Sequence, residues 1–328
     1  MEKIAIIGSG SWGTALGIYL AKRGKIISIW SFNEEEKNEI NNEKKCRYLP
    51  EVELPKNITC STDFKEVIDG AKIIIHVTPS KFTRETIKKY KQYVNENQIL
   101  VMCSKGFELS TLLPLNKVVE EELPNIRYAN LSGPSHAEEV SRGIPTAMVT
   151  ASENEEINDI IIDLFRSEVM KIYATTDLIG TEVGGTFKNI IAFCAGIINS
   201  LGYGDNTYAA LITRGLAEIK RLGVEMGAKE QTFYGLTGLG DLIVTCGSKH
   251  SRNRRAGELI GKGLNIEDAK KQIGMTIESL DNIEVAYKLK EKYNIDMPIV
   301  DSIYNVLYNN LNLVEAIEKL MLRTTKFE

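Results

Sequence analysis

The sequence predicts two domains. Residues 1–178 read as an α/β domain on a mostly parallel, doubly wound sheet, and residues 179–328 as an all-α C-terminal domain. Three observations carry this. Short β-branched runs without polar alternation recur through the first half, separated by helical periodicity, as in a parallel sheet covered on both faces. A glycine-rich turn joins the first run to the first helical segment. Beyond residue 178 the periodicity is helical and no convincing strand remains.

The strand candidates are "KIAII" (3–7), "IISIW" (26–30), "KIIIHV" (72–77), "ILVMC" (99–103), "RYANL" (127–131) and "TAMVT" (146–150), with "VMKIY" (169–173) as a last one. Helical segments at 12–23, 62–69 and 82–94 lie between several of them. The acidic run 33–39 reads as the solvated start of a helix. In the second half, helices are expected at 181–201, 207–227, 252–262, 266–272, 278–292 and 299–323.

Composition narrows the function classes. The net charge of -4 argues against nucleic acid or an anionic membrane as partner. The N-terminus lacks the apolar run of a signal peptide. The longest apolar stretch, at 190–198, is about half what a membrane span needs. Five scattered cysteines without a C-x-x-C fit reduced thiols in a cytoplasmic protein. Three histidines far apart in sequence argue against a histidine-rich metal site, and no metal is expected.

In "IAIIGSGSWGTAL", Gly8, Gly10 and Gly13 form G-x-G-x-x-G, after a strand and opening a helix. In that setting the motif is a dinucleotide fingerprint, and the first half reads as a Rossmann domain. Gly8 permits the tight turn, Gly10 lets the pyrophosphate approach, and Gly13 lets helix and strand pack closely. Amides near Ser11 and Trp12 would face the phosphates. A carboxylate at the end of the second strand would select NAD, an arginine NADP. The residues there are Ser31, Phe32, Asn33 and Glu34, so NAD and NADP both stay open; Lys44, Lys45 and Arg47 read equally well as phosphate ligands or as a solvated turn.

Ligands of open α/β sheets bind outside the carboxyl ends of the strands. Three such ends are polar here: Thr78, Pro79 and Ser80; Ser104, Lys105 and Gly106; and "SGPSHAEE" (132–139). Lys105 and Ser135 are candidate substrate contacts, with a solvated lysine as the alternative. His136 reads as a locally hydrogen-bonded loop residue or, less favoured, a general base. In the helical half, three glycines precede Asp241 in "YGLTGLGDLIVTC", so Asp241 either points into a site or caps a helix. In "SKHSRNRRAG", Ser251, Arg252 and Asn253 at a helix start suit a phosphate, and a solvated basic loop has equal weight.

The most apolar segment, "TEVGGTFKNIIAFCAGI", contains Lys188. Residues three and four apart share a helix face. On the face of Lys188 lie Thr181, Gly184, Gly185, Ala192 and Ala195, all small. Such a strip leaves room for a substrate or a nicotinamide ring. Alternatively it packs against another helix while Lys188 pairs with a carboxylate such as Glu182.

Taken in order, "GSGSWGTAL", "SKGFE", "LSGPSHAEEV", "VGGTFKNIIA", "LGYGDNTYAALITRGLAE", "LTGLGDLIVTC" and "HSRNRRAG" closely resemble the bacterial NAD(P)-dependent glycerol-3-phosphate dehydrogenases over residues 3–320. The resemblance implies reversible reduction of dihydroxyacetone phosphate to sn-glycerol 3-phosphate with NAD(P)H, in a cleft between a Rossmann and a helical domain. It implies that Lys188 is the acid/base and that Lys105, Gly133, Ser135, Asp241, Ser251, Arg252 and Asn253 contact the substrate. It places Ser11, Trp12, Phe32, Lys105, Ala137, Arg252 and Glu278 at the cofactor, beside Gly8, Gly10 and Gly13. A cytoplasmic homodimer supplying glycerol phosphate for phospholipid synthesis is also implied. Members often carry an arginine or histidine where Phe32 and Asn33 stand here, which leaves NADP use in question.

Overall fold

A computed structural model describes residues 2–324. Its sheet has eight strands: β1 (Lys3–Ile7), β2 (Ile26–Trp30), β3 (Ile58–Ser61), β4 (Ile73–His76), β5 (Ile99–Met102), β6 (Arg127–Ser132), β7 (Thr146–Ala151) and β8 (Met170–Thr175). The spatial order is β3-β2-β1-β4-β5-β6-β7-β8, and every pair is parallel except β6 with β7.

The missing polar alternation has a direct cause. Ile4 and Ile6 of β1 enter one apolar cluster while Ala5 and Ile7 enter another, on the opposite face. β4 and β5 divide the same way, with Ile73, Ile75, Ile99 and Val101 on one side and Ile74, Leu100 and Met102 on the other. Both faces are covered, so both sets of positions are apolar. Strand order reverses between β1, flanked by β2, and β4, flanked by β5, and the crevice outside their carboxyl ends is where such sheets bind ligands.

The sequence reading missed β3. Its four residues, "ITCS", are too short for a periodic signal, and pairing with β2 decides their conformation. The acidic run was misread in part: Glu34–Asn38 is helical, but Glu36 is buried. The expected helix 299–323 is two helices, Pro298–Tyr308 and Leu313–Met321. Asn310 adopts a left-handed φ of 55° between them, and Asn312 caps the second through the amides of Val314 and Glu315.

The second half is organised around the helix Leu178–Ser200. Asp177 caps it at the Gly180 amide, 2.8 Å away. All its residues are buried except Ile179, Asn199 and Ser200, which explains why it is apolar all round. Glycines set its closest packings. A Cβ at Gly196 would strike the Arg254 carbonyl, and one at Gly257 the Phe193 carbonyl, so the helix Arg252–Gly261 lies backbone to backbone against it. That contact fixes where 251–253 can reach.

Candidate active site

The glycine loop has the form its spacing predicts. Gly8 has a φ of 129°, and a Cβ there would sit 3.1 Å from the Val77 carbonyl oxygen. A Cβ at Gly13 would strike the Gly8 carbonyl, so the start of the helix Ser11–Lys22 presses on the turn. At Gly10 a Cβ would meet nothing within 4 Å. That position faces open space, and no side chain caps the helix behind it. A bare helix N-terminus opening on free space suits a pyrophosphate. Trp12 and Ala137 belong to the same apolar cluster below this helix. Phe32, by contrast, is 77% exposed, and Asn33 serves as an N-cap to Glu35 at 2.7 Å.

β5 and β6 deliver the next residues. After β5, Ser104 Oγ donates to the Thr78 carbonyl at 2.6 Å and anchors the loop that carries Lys105. After β6, Gly133 turns with a φ of 127° and lies 3.1 Å from Met148 Cα, measured from its absent Cβ. Its carbonyl accepts hydrogen bonds from Ser135 Oγ at 3.0 Å and Lys105 Nζ at 3.4 Å. His136 lies 3.4 Å from the Val244 carbonyl through Nε2, and burial lowers its pKa. Its partner belongs to the helix Asp241–Gly247, so its hydrogen bond is not local in sequence.

Lys188 is 6% exposed. Its partner is Asp241, not Glu182. Nζ donates to Asp241 Oδ1 and, at 2.7 Å, to Thr245 Oγ1. Asp241 is the first residue of its helix and Gly240 the N-cap, so the carboxylate is not spent on capping. Its second oxygen accepts from Lys105 Nζ at 2.7 Å. Thr245 Oγ1 in turn donates to the Asp241 carbonyl at 2.6 Å. Thr245 was missed in the sequence, although its place four residues after Asp241 puts both on one helix face. Glu182, six residues earlier in the helix, accepts instead from Tyr128 Oη and the Asn116 amide, both at 2.9 Å.

One carboxylate thus serves two buried ammonium groups. Burial lowers the Lys188 pKa, and Lys105 pushes the same way; Asp241 opposes them, and the result is about 8. For Lys105, burial also acts downward, but the charge and hydrogen bond of Asp241 outweigh it and the pKa is raised. Asp241 stays below the usual carboxylate range, because the two lysines overcome its burial. The site therefore holds one lysine that keeps its proton and one that can exchange it near neutral pH.

The glycine strip needs correction. A Cβ at Gly184 would sit 2.5 Å from the Thr237 carbonyl oxygen, so this glycine admits the Leu236–Gly240 turn rather than a ligand. A Cβ at Gly185 would face Ser132 Oγ at 2.9 Å and the Lys105 stem at 3.8 Å, and this position does border the lysines.

The remaining candidates join from the other side. Asn189, beside Lys188, donates to Glu278 Oε2 at 3.1 Å. Asn253 Oδ1 accepts from the Ser279 amide at 2.9 Å, and Ser251 Oγ accepts from the Arg254 amide as N-cap. Arg254 pairs with Glu258 at 2.9 Å. Arg252 is half-buried and, among the described residues, neither hydrogen-bonded nor ion-paired. The rings of His136 and His250 lie 6.0 Å apart, bringing the loop after β6 next to this cluster. Arg252 therefore keeps its donors unspent, among the described residues, at the start of a helix that packs on the Lys188 helix.

Residues 3–158 match the family described as NAD-dependent glycerol-3-phosphate dehydrogenase N-terminus, and residues 177–318 its C-terminus. This chain belongs to the NAD-dependent glycerol-3-phosphate dehydrogenase family. Among relatives of this dehydrogenase family, the glycerol-3-phosphate dehydrogenase (NAD(P)+) of Clostridium perfringens is 46% identical over 329 residues, covering 100% of this chain and 99% of its own. That of Fusobacterium nucleatum is 46% identical over 332 residues, covering 100% and 99%. The crystal structure of glycerol-3-phosphate dehydrogenase from Coxiella burnetii superposes with a TM-score of 0.95 at 36% identity, over 98% of this chain and 99% of that one.

Proposed function

We propose that this dehydrogenase reversibly reduces dihydroxyacetone phosphate to sn-glycerol 3-phosphate, with NAD or NADP as cofactor and Lys188 as general acid/base. The observation that carries the reading is the buried Lys188–Asp241–Lys105 array, joined by an Arg252 that has no hydrogen-bond or ion-pair partner among the described residues. The boundary between a dinucleotide-binding part, 1–178, and a substrate-binding helical part, 179–328, is supported by the end of the sheet at Thr175 and the start of the long helix at Leu178.

The cofactor fits the glycine loop: Gly8, Gly10, Ser11, Trp12 and Gly13 would hold its phosphates, with Phe32, Ala137 and Glu278 along its length. When bound, it supplies or accepts the hydride. Lys188 does the proton work. In the reducing direction protonated Lys188 gives its proton to the oxygen of the former carbonyl and stabilises the charge that develops there. In the oxidising direction neutral Lys188 takes the hydroxyl proton. Asp241 and Thr245 hold the Lys188 amine in place, and Lys105 keeps the local field positive. Ser251, Arg252 and Asn253 would hold the substrate phosphate, with Gly133 and Ser135 lining the opposite wall. Fixing the phosphate fixes the reacting carbon, and such positioning is a large part of the catalysis.

The test is the absorbance of NADH or NADPH consumed with dihydroxyacetone phosphate, for wild type and Lys188→Ala. The variant should lose ~10²-fold or more in turnover while still binding cofactor. Near-normal turnover would remove Lys188 from the proposed role. Family resemblance also supports a cytoplasmic homodimer that supplies glycerol phosphate for phospholipids; sedimentation of the purified protein tests the dimer. No helix among the described residues is long and apolar enough to cross a membrane.

A further inference from the structure

Behind the glycine loop lies a carboxylate that the proposed mechanism does not use. Glu36 is 4% exposed. Its Oε2 accepts hydrogen bonds from Ser9 Oγ, inside the glycine loop, and from Ser31 Oγ at 2.8 Å, the first residue after β2. Its Oε1 accepts from Tyr48 Oη at 2.8 Å. All three partners are neutral hydroxyls, so the charge has no counter-ion among them. Its field reaches its neighbours: burial, and then Glu36, push the Tyr48 hydroxyl up to about 12.

In this fold the adenosine ribose lies outside the carboxyl end of the second strand, next to the glycine loop. Glu36 is tied to both. A 2′-phosphate there would need cations, and the nearby ones are engaged. Arg47 lies beside two carboxylates, Glu39 at 2.6 Å and Glu35 at 3.3 Å, and Lys37 beside Glu34 at 3.1 Å, so each of these cations already has its charge offset by a neighbour. Lys44 Nζ donates to the Ile58 carbonyl at 3.2 Å. Lys45 is solvent-exposed, where a single ion pair contributes little. Phe32 projects into solvent beside the strand end.

We infer that Glu36 is a specificity-determining residue that makes this dehydrogenase select NADH over NADPH. The inference rests on the proposed function and specifies its cofactor. The buried negative charge opposes a 2′-phosphate, which carries about -1.5 to -2 charges at neutral pH. The 2′-hydroxyl of NADH carries none.

Fluorescence titration of NADH and of NADPH without substrate, together with steady-state kinetics with dihydroxyacetone phosphate, tests this on wild type, Glu36→Gln, Tyr48→Phe and Phe32→Arg; the Kd ratio of the two cofactors should follow the kinetic ratio. The wild type should show a kcat/KM for NADH at least ~10-fold above that for NADPH. Glu36→Gln should narrow that ratio, mainly by lowering the KM for NADPH. Tyr48→Phe removes a hydroxyl but keeps the charge, and should keep the ratio. Phe32→Arg, an exposed change that does not depend on Glu36→Gln folding, should lower the KM for NADPH. Equal use of both cofactors by the wild type would overturn the inference. So would a Glu36→Gln protein whose KM rises equally for both, since that is what a mere anchor of the glycine loop would do. Turnover of neither cofactor, with binding of neither, would overturn the dehydrogenase reading itself.

Discussion

Asp241 holds Lys188 on one carboxylate oxygen and has its other oxygen committed to Lys105 at 2.7 Å. Because burial and Lys105 both press the Lys188 proton off, the Asp241 charge is what keeps that proton near neutral pH. The sign of the pH dependence follows. Oxidation of glycerol phosphate needs neutral Lys188, so its kcat/KM should rise with pH through a midpoint near 8, and that of reduction should fall over the same range. Asp241→Asn keeps the shape and removes the charge. The midpoint should then move to lower pH and kcat should drop by roughly 10-fold or more. A pH–rate profile of the variant with an unmoved midpoint would show that Asp241 does not set the Lys188 pKa.

Arg252 is the unspent guanidinium of a cluster whose neighbour Arg254 is already paired. Arg252→Ala should raise the KM for dihydroxyacetone phosphate by roughly 10- to 100-fold, the worth of one or two charged hydrogen bonds. The loss in kcat should be smaller. An unchanged KM would place the phosphate elsewhere.

Much of this arrangement was legible in the sequence because it rests on local rules. The glycine spacing, the strand runs and the polar residues after β5 and β6 each follow from backbone geometry that a few neighbouring residues impose. Lys188 stood out because a lysine in an apolar helix demands a partner. Which partner was not legible. Asp241 lies 53 positions away, and only the packing of the helix Asp241–Gly247 on the long helix decides between it and Glu182. Glu36 was hidden for the same reason. In an acidic run it reads as solvated, and its burial depends on Ser9, Ser31 and Tyr48 converging from three separate segments.

Gly184 and Gly185 are adjacent but should fail differently. Alanine in a helix interior gains about 1 kcal/mol over glycine. At Gly184 that gain meets a backbone oxygen 2.5 Å from the new Cβ, which cannot swing away. Overpacking of this kind costs about 1–3 kcal/mol, so Gly184→Ala should lower the melting temperature. At Gly185 the nearest atom is the Ser132 hydroxyl at 2.9 Å, with the Lys105 stem behind it. A hydroxyl can rotate, so Gly185→Ala should unfold near the wild-type temperature and lose kcat/KM instead. Thermal melts and steady-state kinetics on the pair check this; equal melting temperatures would remove the steric role given to Gly184.

Glu182 gives a stability prediction independent of catalysis. Burial raises its pKa from 4.5 to about 7, against the lowering effect of its hydrogen bonds from Tyr128 and the backbone. In the unfolded chain the proton leaves near 4.5, whereas the folded protein keeps it until about 7. The folded state therefore binds more protons across that window, and stability falls as pH rises through it. Glu182→Gln carries no titrating group and escapes this loss. Relative to wild type, the variant should gain roughly 1–3 kcal/mol between the acid end of the window and its neutral end, with no further gain above it. Denaturant unfolding of both proteins at matched pH values measures the difference. Two stability curves that run parallel from acid to neutral pH would mean that Glu182 is already ionised in the folded protein.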